Sequence, residues 1–225
     1  MKLFRLGITA IVFMFFVSII SAQTTDYGTW LSFEVSKKLA PRLALEFEEE
    51  LRLVDNFRAI DRLSTTVGGS YNLSKNIKAG AAYAWLYKHN IEDDYYENRH
   101  RVYAFAQGKA RVGRFSFTLR ERFQSTWFDK AYNPKYTPKL YLRSRLKIDY
   151  KIKDAKIEPY AMAEMHYQLN NPKGNQIDNM RYTLGTEFPL SKNLNMSTYL
   201  RMNQDVNKKK PVTQYLLGVS VGWKL

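Results

Sequence analysis

The sequence predicts an all-β fold: a single antiparallel, up-and-down transmembrane β-barrel of about ten to twelve strands, with short periplasmic turns and longer extracellular loops. Three observations predict it. Runs of alternating polarity recur from Tyr27 to Leu225, as in strands with one apolar and one polar face. An export signal precedes them. After that signal no uninterrupted apolar run is long enough for a spanning helix of ~20 residues. Lipid satisfies no free backbone N–H or C=O, so a chain without such helices crosses a bilayer only as a closed barrel.

The signal is built from Lys2 and Arg5, a nearly continuous apolar stretch from Leu6 to Ile20, and small residues at Ser21-Ala22. This is the layout of a secretory signal peptide, with cleavage expected near Ala22. Residues 1–22 are therefore set apart from the barrel, 23–225. No Cys stands at the cleavage site, which argues against a lipoprotein, and the chain has no Cys anywhere. Disulfide and thiol chemistry are excluded. The mature length suits one domain. Aromatics are abundant, with 16 Tyr, 13 Phe and 4 Trp, and the net charge of +14 becomes +12 without Lys2 and Arg5. A basic chain is a candidate for nucleic acid, but an exported one has little access to it. Lipopolysaccharide, acidic glycans and a charged lumen fit better.

The strands can be taken in order. In the first, Tyr27, Thr29, Leu31, Phe33 and Val35 alternate with Gly28, Trp30, Ser32 and Glu34. The second sets Leu43, Leu45, Phe47, Leu51 and Leu53 against Glu46, Glu48, Glu50 and Arg52. Leu63, Val67, Tyr71 and Leu73 then oppose Arg62, Ser64, Thr66 and Ser70. Ile77, Ala79, Ala81, Tyr83, Trp85 and Tyr87 oppose Lys78, Gly80 and Lys88. The pattern is weakest near 97–109, where Arg99 and Arg101 oppose Val102, Ala104 and Ala106. Phe115, Phe117, Leu119 and Phe123 face away from Arg120, Arg122 and Gln124. Leu140, Leu142, Leu146, Ile148 and Tyr150 face away from Arg143, Arg145 and Lys147. Further strands cover roughly 156–168, 179–190, 193–204 and 212–225. In the last, Tyr215, Leu217, Val219, Val221, Trp223 and Leu225 share one apolar face and end the chain, the form of a terminal assembly strand.

Tight connections are expected near Lys37–Pro41, Ser74–Asn76, Arg111–Gly113, Ile152–Ala155 and Ser191–Asn193. Longer ones are expected near Asp55–Asp61, His89–Tyr95, Phe128–Pro138, Asn170–Asp178 and Asp205–Lys210. One turn sequence recurs, Leu73-Ser-Lys-Asn-Ile77 and Leu190-Ser-Lys-Asn-Leu194, without the regular spacing of a solenoid. Aromatics gather at both strand ends, as headgroup girdles do. Tyr71, Tyr150, Phe188 and Trp223 lie near the turn ends, and Trp85, Tyr87, Trp127, Tyr167, Tyr182 and Tyr215 near the loop ends.

Several short motifs add a resemblance: Glu48-Glu-Glu-Leu-Arg52, Glu97-Asn-Arg-His-Arg101, Leu119-Arg-Glu-Arg-Phe-Gln124, Leu142-Arg-Ser-Arg145, Pro159-Tyr160 with Glu164, and Arg181-Tyr182. In this order they resemble a family of outer-membrane barrels common in Bacteroidota, domain of unknown function 2490. The resemblance implies a barrel and an envelope location, and it implies no activity.

Eleven strands are counted, whereas a bacterial barrel with both termini in the periplasm needs an even number. Three ways out stand open: a strand missed or split, residues 23–36 inside the lumen, or closure through one parallel pair.

The inward phase carries the chemistry. Its charged set comprises Glu46, Glu48, Glu50, Arg52, Arg62, Arg99, Arg101, Arg120, Arg122, Arg143, Arg145, Glu158, Glu164, Arg181, Glu187 and Arg201, with Glu34 beside them. In a narrow barrel such charges first of all pair with one another and fill the lumen. The alternative is a basic constriction that passes acidic solutes. With the last strand descending, Arg52, Arg62, Arg99, Arg101, Arg122, Arg181 and Arg201 fall in the outer half, and Glu46, Glu48 and Glu158 nearer the periplasm. A basic upper ring over a more acidic lower lumen is expected.

A lipid-modifying enzyme is a second alternative, weakly supported. His89 is in a loop, His100 faces away from its arginine neighbours, and His166 shares a face with Glu164 as an expected lumen hydrogen bond. No Gly-x-Ser-x-Gly, zinc-spaced His set or phosphate loop is present. Asp93-Asp94, Lys135 to Lys139 and Lys208-Lys-Lys210 read as solvated loop charges, the lysines among lipopolysaccharide phosphates. The expectation is therefore a barrel without catalytic residues, metal or cofactor. Its partners would be outer-membrane lipid, lipopolysaccharide, the barrel-assembly machinery and an anionic solute. Glu49 and Glu121 break the apolar phase, which predicts a bulge, an outer-rim position or a contact with another protein at each.

Overall fold

The computed structural model describes residues 24–91, 93–131 and 137–225. The signal segment 1–22 and Lys135 lie outside them. The described residues form eleven strands: β1 Thr24–Ala40, β2 Leu43–Val54, β3 Ala59–Asn72, β4 Ile77–Asn90, β5 Tyr95–Val112, β6 Phe115–Trp127, β7 Lys139–Tyr150, β8 Glu158–Gln168, β9 Gln176–Pro189, β10 Leu194–Asp205 and β11 Val212–Lys224. They close into one barrel in which each strand pairs with its neighbours in sequence and β11 pairs with β1.

The barrel is antiparallel and up-and-down, as expected, everywhere but at its closure. Each hairpin reverses the chain, so the first and last of eleven strands run the same way and can meet only in parallel. Ten neighbour pairs are antiparallel and β1–β11 is parallel. Its register runs without a break from Thr24↔Val212 to Ser36↔Lys224. The seam is reinforced near its middle and at its C-terminal end. Thr29 Oγ1 donates to the Leu217 carbonyl at 2.8 Å, and Leu225 N donates to the Ser36 carbonyl at 2.8 Å. Of the three solutions to the odd count, the parallel pair is the one adopted, and residues 24–36 are wall.

The connections depart from a simple short–long alternation. Residues 41–42 and 113–114 are two-residue turns, but 151–157 is longer than the tight turn expected there. On the other rim, 55–58 and 91–94 are only four residues each. The ladder continues through the polar residues Asp61, His89 and Asn90, where sequence reading ended it. A register shift between Arg52 and Leu53 leaves Asp61 of β3 as the extra, unpaired residue, and its carboxylate accepts from Lys88. In 55–58, Asp55, Asn56 and Phe57 all adopt positive φ, of 51°, 53° and 68°. The two repeated Leu-Ser-Lys-Asn turns behave alike: Ser74 Oγ and Ser191 Oγ each accept from the backbone N–H groups two and three residues on.

Alternation sorts the side chains as the pleat requires. Outward lie Leu31, Phe33, Leu45, Phe47, Leu63, Val67, Leu119, Phe123, Leu184, Leu200 and Leu217, all exposed. At the loop rim Tyr27 stacks on Tyr215 at 5.9 Å and Tyr87 on Tyr96 at 4.9 Å. At the turn rim Phe115 meets Tyr150 at 5.0 Å. Inward, glycine makes room for rings laid flat on the wall: a Cβ on Gly218 would stand 2.0 Å from the Tyr199 ring.

Glu49 and Glu121 are neither bulged nor at a rim. Glu121 is the central residue of β6, in regular register with Ala106 and Ser144, and it accepts from Ser144 Oγ at 2.6 Å. Glu49 lies mid-way along β2, in regular register with Phe33 and Thr65. It faces a shallow outer groove shared with Leu31, Phe33, Leu63 and Val221. A mid-strand carboxylate on the outer face therefore replaces the first two readings.

Candidate functional site: a charged lumen in three chambers

The inward faces enclose three chambers along the axis. The loop-side chamber is about 350 Å³, the central one about 370 Å³ and the turn-side one about 380 Å³. The side-chain filling expected of a narrow barrel is thus incomplete.

Eight cationic side chains and two carboxylates line the loop-side chamber. Arg62, Arg99 and Lys139 belong to it alone, and Arg52, Arg101, Arg143 and Arg181 line both it and the central chamber. This loop-side junction is basic because its four guanidinium groups share few acids. Arg52 binds Glu50 at 2.6 Å and lies 3.6 Å over the Trp30 ring. Arg143 forks onto Glu164 Oε1 through Nε at 3.1 Å and Nη2 at 2.8 Å, and Nη1 donates to Gln124 at 2.9 Å. Arg181 reaches the same Glu164 only at 3.9 Å and donates to Asn203 at 2.9 Å. Arg101 has a hydroxyl, Thr126 Oγ1 at 3.1 Å, and no carboxylate within 4.0 Å among the described residues.

Glu164 is the hub of the central lumen. Besides Arg143 and Arg181 it attracts Arg120 at 3.6 Å and stands 3.8 Å from His166 Nε2. That last separation exceeds hydrogen-bond reach, and His166 Nε2 is buried without a partner. The expected Glu164–His166 contact is present as a longer approach: Arg143 takes Oε1, and Oε2 stands between His166 at 3.8 Å and Arg181 at 3.9 Å. Arg201 also lines the central chamber, donating to Thr183 at 3.0 Å over the rings of Trp30 and Tyr199. His100, as expected, faces out, with Tyr83 Oη 2.7 Å from its Nδ1.

The junction between the central and turn-side chambers has another make-up. Glu34 and Glu48 line it from β1 and β2, and Arg120, Arg122 and Arg145 from β6 and β7, with Thr66 and Tyr103 between. In an eleven-strand ring, β1 and β2 lie across the lumen from β6 and β7. The acids therefore form one wall and the arginines the opposite wall. No cation comes within 4.0 Å of Glu34 or Glu48, and no carboxylate within 4.0 Å of Arg122 or Arg145, among the described residues. Arg122 lies 3.9 Å over Tyr103, and the Nε atoms of Arg120 and Arg122 are buried without hydrogen-bond partners. Elsewhere on the turn side, pairing is ordinary. Glu46 accepts from Lys78 at 2.9 Å and Ser70 at 2.7 Å, and Lys147 bridges Glu187 at 2.5 Å and Asp149 at 2.6 Å.

These positions correct the expected axial split. Arg122 belongs to the turn-side junction and Arg201 to the central chamber, and the acids sit across from arginines as well as below them. Glu158 lies at the turn end opposite Glu187 and lines none of the three chambers. Sequence reading omitted Asp61, Glu97, Asp149, Asp178 and Asp205 from the charge set. All five stand near strand ends; Asp61, Asp178 and Asp205 fall in the expected loops, and Glu97 and Asp149 within expected strands.

A family model described as protein of unknown function (DUF2490) matches residues 27–215, nearly the whole barrel. The chain belongs to this family. The DUF2490 match covers both junctions, and of the parallel seam it includes both partners only at Tyr27↔Tyr215. No curated protein matches the chain.

Proposed function

We propose that this member of the DUF2490 family is an outer-membrane β-barrel, exported by a signal peptide cleaved near Ala22, whose narrow, charged lumen has no catalytic role. The observation that carries the reading is the outer face. A closed barrel with many exposed Leu, Phe and Val on its outward positions, and aromatic sets at both rims, suits a bilayer and is poorly suited to water. Every strand has at least eleven residues, enough for the roughly 9–11 that a tilted spanning strand needs. On this reading the outer face meets lipid, the loop lysines meet lipopolysaccharide phosphates, and Tyr215 to Leu225 supply the strand read by the assembly machinery. Nucleic acid is not a partner.

A second reading, a small anion-selective channel, is favoured by the loop-side junction. Four guanidinium groups converge there on a space whose nearest carboxylates, Glu50 and Glu164, leave Arg101 uncompensated. Charges behind low-dielectric walls focus field into a pore.

Floating with the outer membrane and shifting on gels after heating are the expected behaviours. Recovery from the soluble periplasm without detergent contradicts the proposal. Trp223→Asp with Leu225→Asp should abolish insertion, because both residues lie on the lipid-facing phase; normal surface levels of that variant contradict the assignment of the terminal strand.

A further inference from the structure

We infer that the turn-side junction is a binding site for small zwitterions, solutes that carry a carboxylate and an ammonium group, such as amino acids and short peptides. The inference rests on the proposed reading of a barrel with a narrow, charged lumen and adds the class of solute.

Four observations carry it. First, the charges are sorted by wall: Glu34 and Glu48 on β1 and β2, Arg120, Arg122 and Arg145 on β6 and β7, half a turn of the barrel away. Second, the sorted groups do not satisfy one another. Glu34, Glu48, Arg122 and Arg145 all lack an opposite charge within 4.0 Å among the described residues. Other lumen acids on the same strand do find partners, as Glu46 and Glu50 show. Third, the space between the walls is open, since the same residues line two chambers of about 370 and 380 Å³. Fourth, Arg120 Nε and Arg122 Nε are buried donors without acceptors, and a buried donor left unsatisfied carries a free-energy penalty.

Two facing rows of opposite, unpaired charge set up a field across the lumen. A solute with a single charge is attracted by one wall and repelled by the other. A zwitterion aligned with the field gains at both ends. Its carboxylate meets planar guanidinium forks, which match that group in two-point contact. Its ammonium group meets Glu34 and Glu48. The all-basic loop-side junction lacks this arrangement, so the preference belongs to the turn side.

The test uses the exported full chain, purified from membranes in detergent, with dissociation constants read by ligand-observed NMR. The probes are glycylglycine, N-acetylglycylglycine, which lacks the ammonium group, and glycylglycinamide, which lacks the carboxylate. Glycylglycine should bind about tenfold more tightly than either analogue, since each loses one charge-assisted contact. Glu34→Gln with Glu48→Gln should remove its advantage over the acetylated form. Glu49→Gln, on the outer face, should leave the ranking unchanged. If the double variant does not fold, Glu48→Gln alone should reduce the advantage. Equal affinities for the three probes, or no binding, in a wild-type sample that shifts on heating overturn the site and leave the barrel intact. A wild-type preference that survives both glutamate variants also overturns it. Soluble recovery of the protein counts against the outer-membrane reading, and the ranking of the probes still decides the site.

Discussion

The two junctions of the lumen use the same residue types and reach opposite arrangements. At the loop side Arg52, Arg101, Arg143 and Arg181 crowd together, and the acids that temper them, Glu50 and Glu164, are shared out by close contact. At the turn side two acids and three arginines stand apart on facing walls. The difference is one of circumference. On adjacent strands a diagonal reach suffices: Glu164 of β8, whose register partner on β7 is Arg145, bridges Arg143 two residues away. Carboxylates on β1 and β2 cannot reach arginines on β6 and β7.

The largest effect that would break this contrast lies at Glu164. It is buried and is the carboxylate shared by Arg143, Arg120 and Arg181. Glu164→Leu should cost on the order of 3–5 kcal/mol, because removing one partner leaves buried charge uncompensated. The midpoint of heat modification should fall steeply, and an unchanged midpoint would show that the loop-side arginines need no counter-charge. Next comes selectivity. Arg99→Glu with Arg101→Glu should weaken or invert any anion preference measured as a reversal potential in a salt gradient; the same preference in the variant would remove the basic junction from the account.

Smaller effects sharpen the comparison. Glu49→Leu removes a mid-strand carboxylate from the outer face and should raise the heat-modification midpoint by about 1–2 kcal/mol worth of stability, less than an Arg or Lys there would cost. A lowered midpoint would mean that Glu49 is held by a partner. Lys78→Ala breaks a pair in which both side chains are about a third exposed or more, so the loss should be about 1 kcal/mol or less. A loss as large as that of Glu164→Leu would erase the distinction between the hub and the ordinary bridges.

What the sequence disclosed and what it hid follow the same line. Facing was legible because period-two alternation is a local property: Glu46, Glu48, Glu50 and Arg52 share a phase whatever the barrel does. The parallel seam was implied by an odd count, though not chosen by it. Strand ends were misjudged at Asp61 and His89, where polar side chains point inward or lie at the rim and the ladder runs on beneath them. Which charges meet was not legible. Adjacent pairs such as Arg143 and Glu164 depend on register, and opposed sets such as Glu34 and Arg145 depend on how many strands separate them around the ring.

The most direct measurement exploits the absence of native Cys. Single cysteines at Asn203, in the loop-side chamber, and at Thr66, in the turn-side junction, are treated with anionic and cationic thiol reagents of equal size. The anionic-to-cationic rate ratio should be about tenfold or more higher at position 203 than at 66, since unlike local fields steer the two reagents differently. Equal ratios at the two positions would contradict the account.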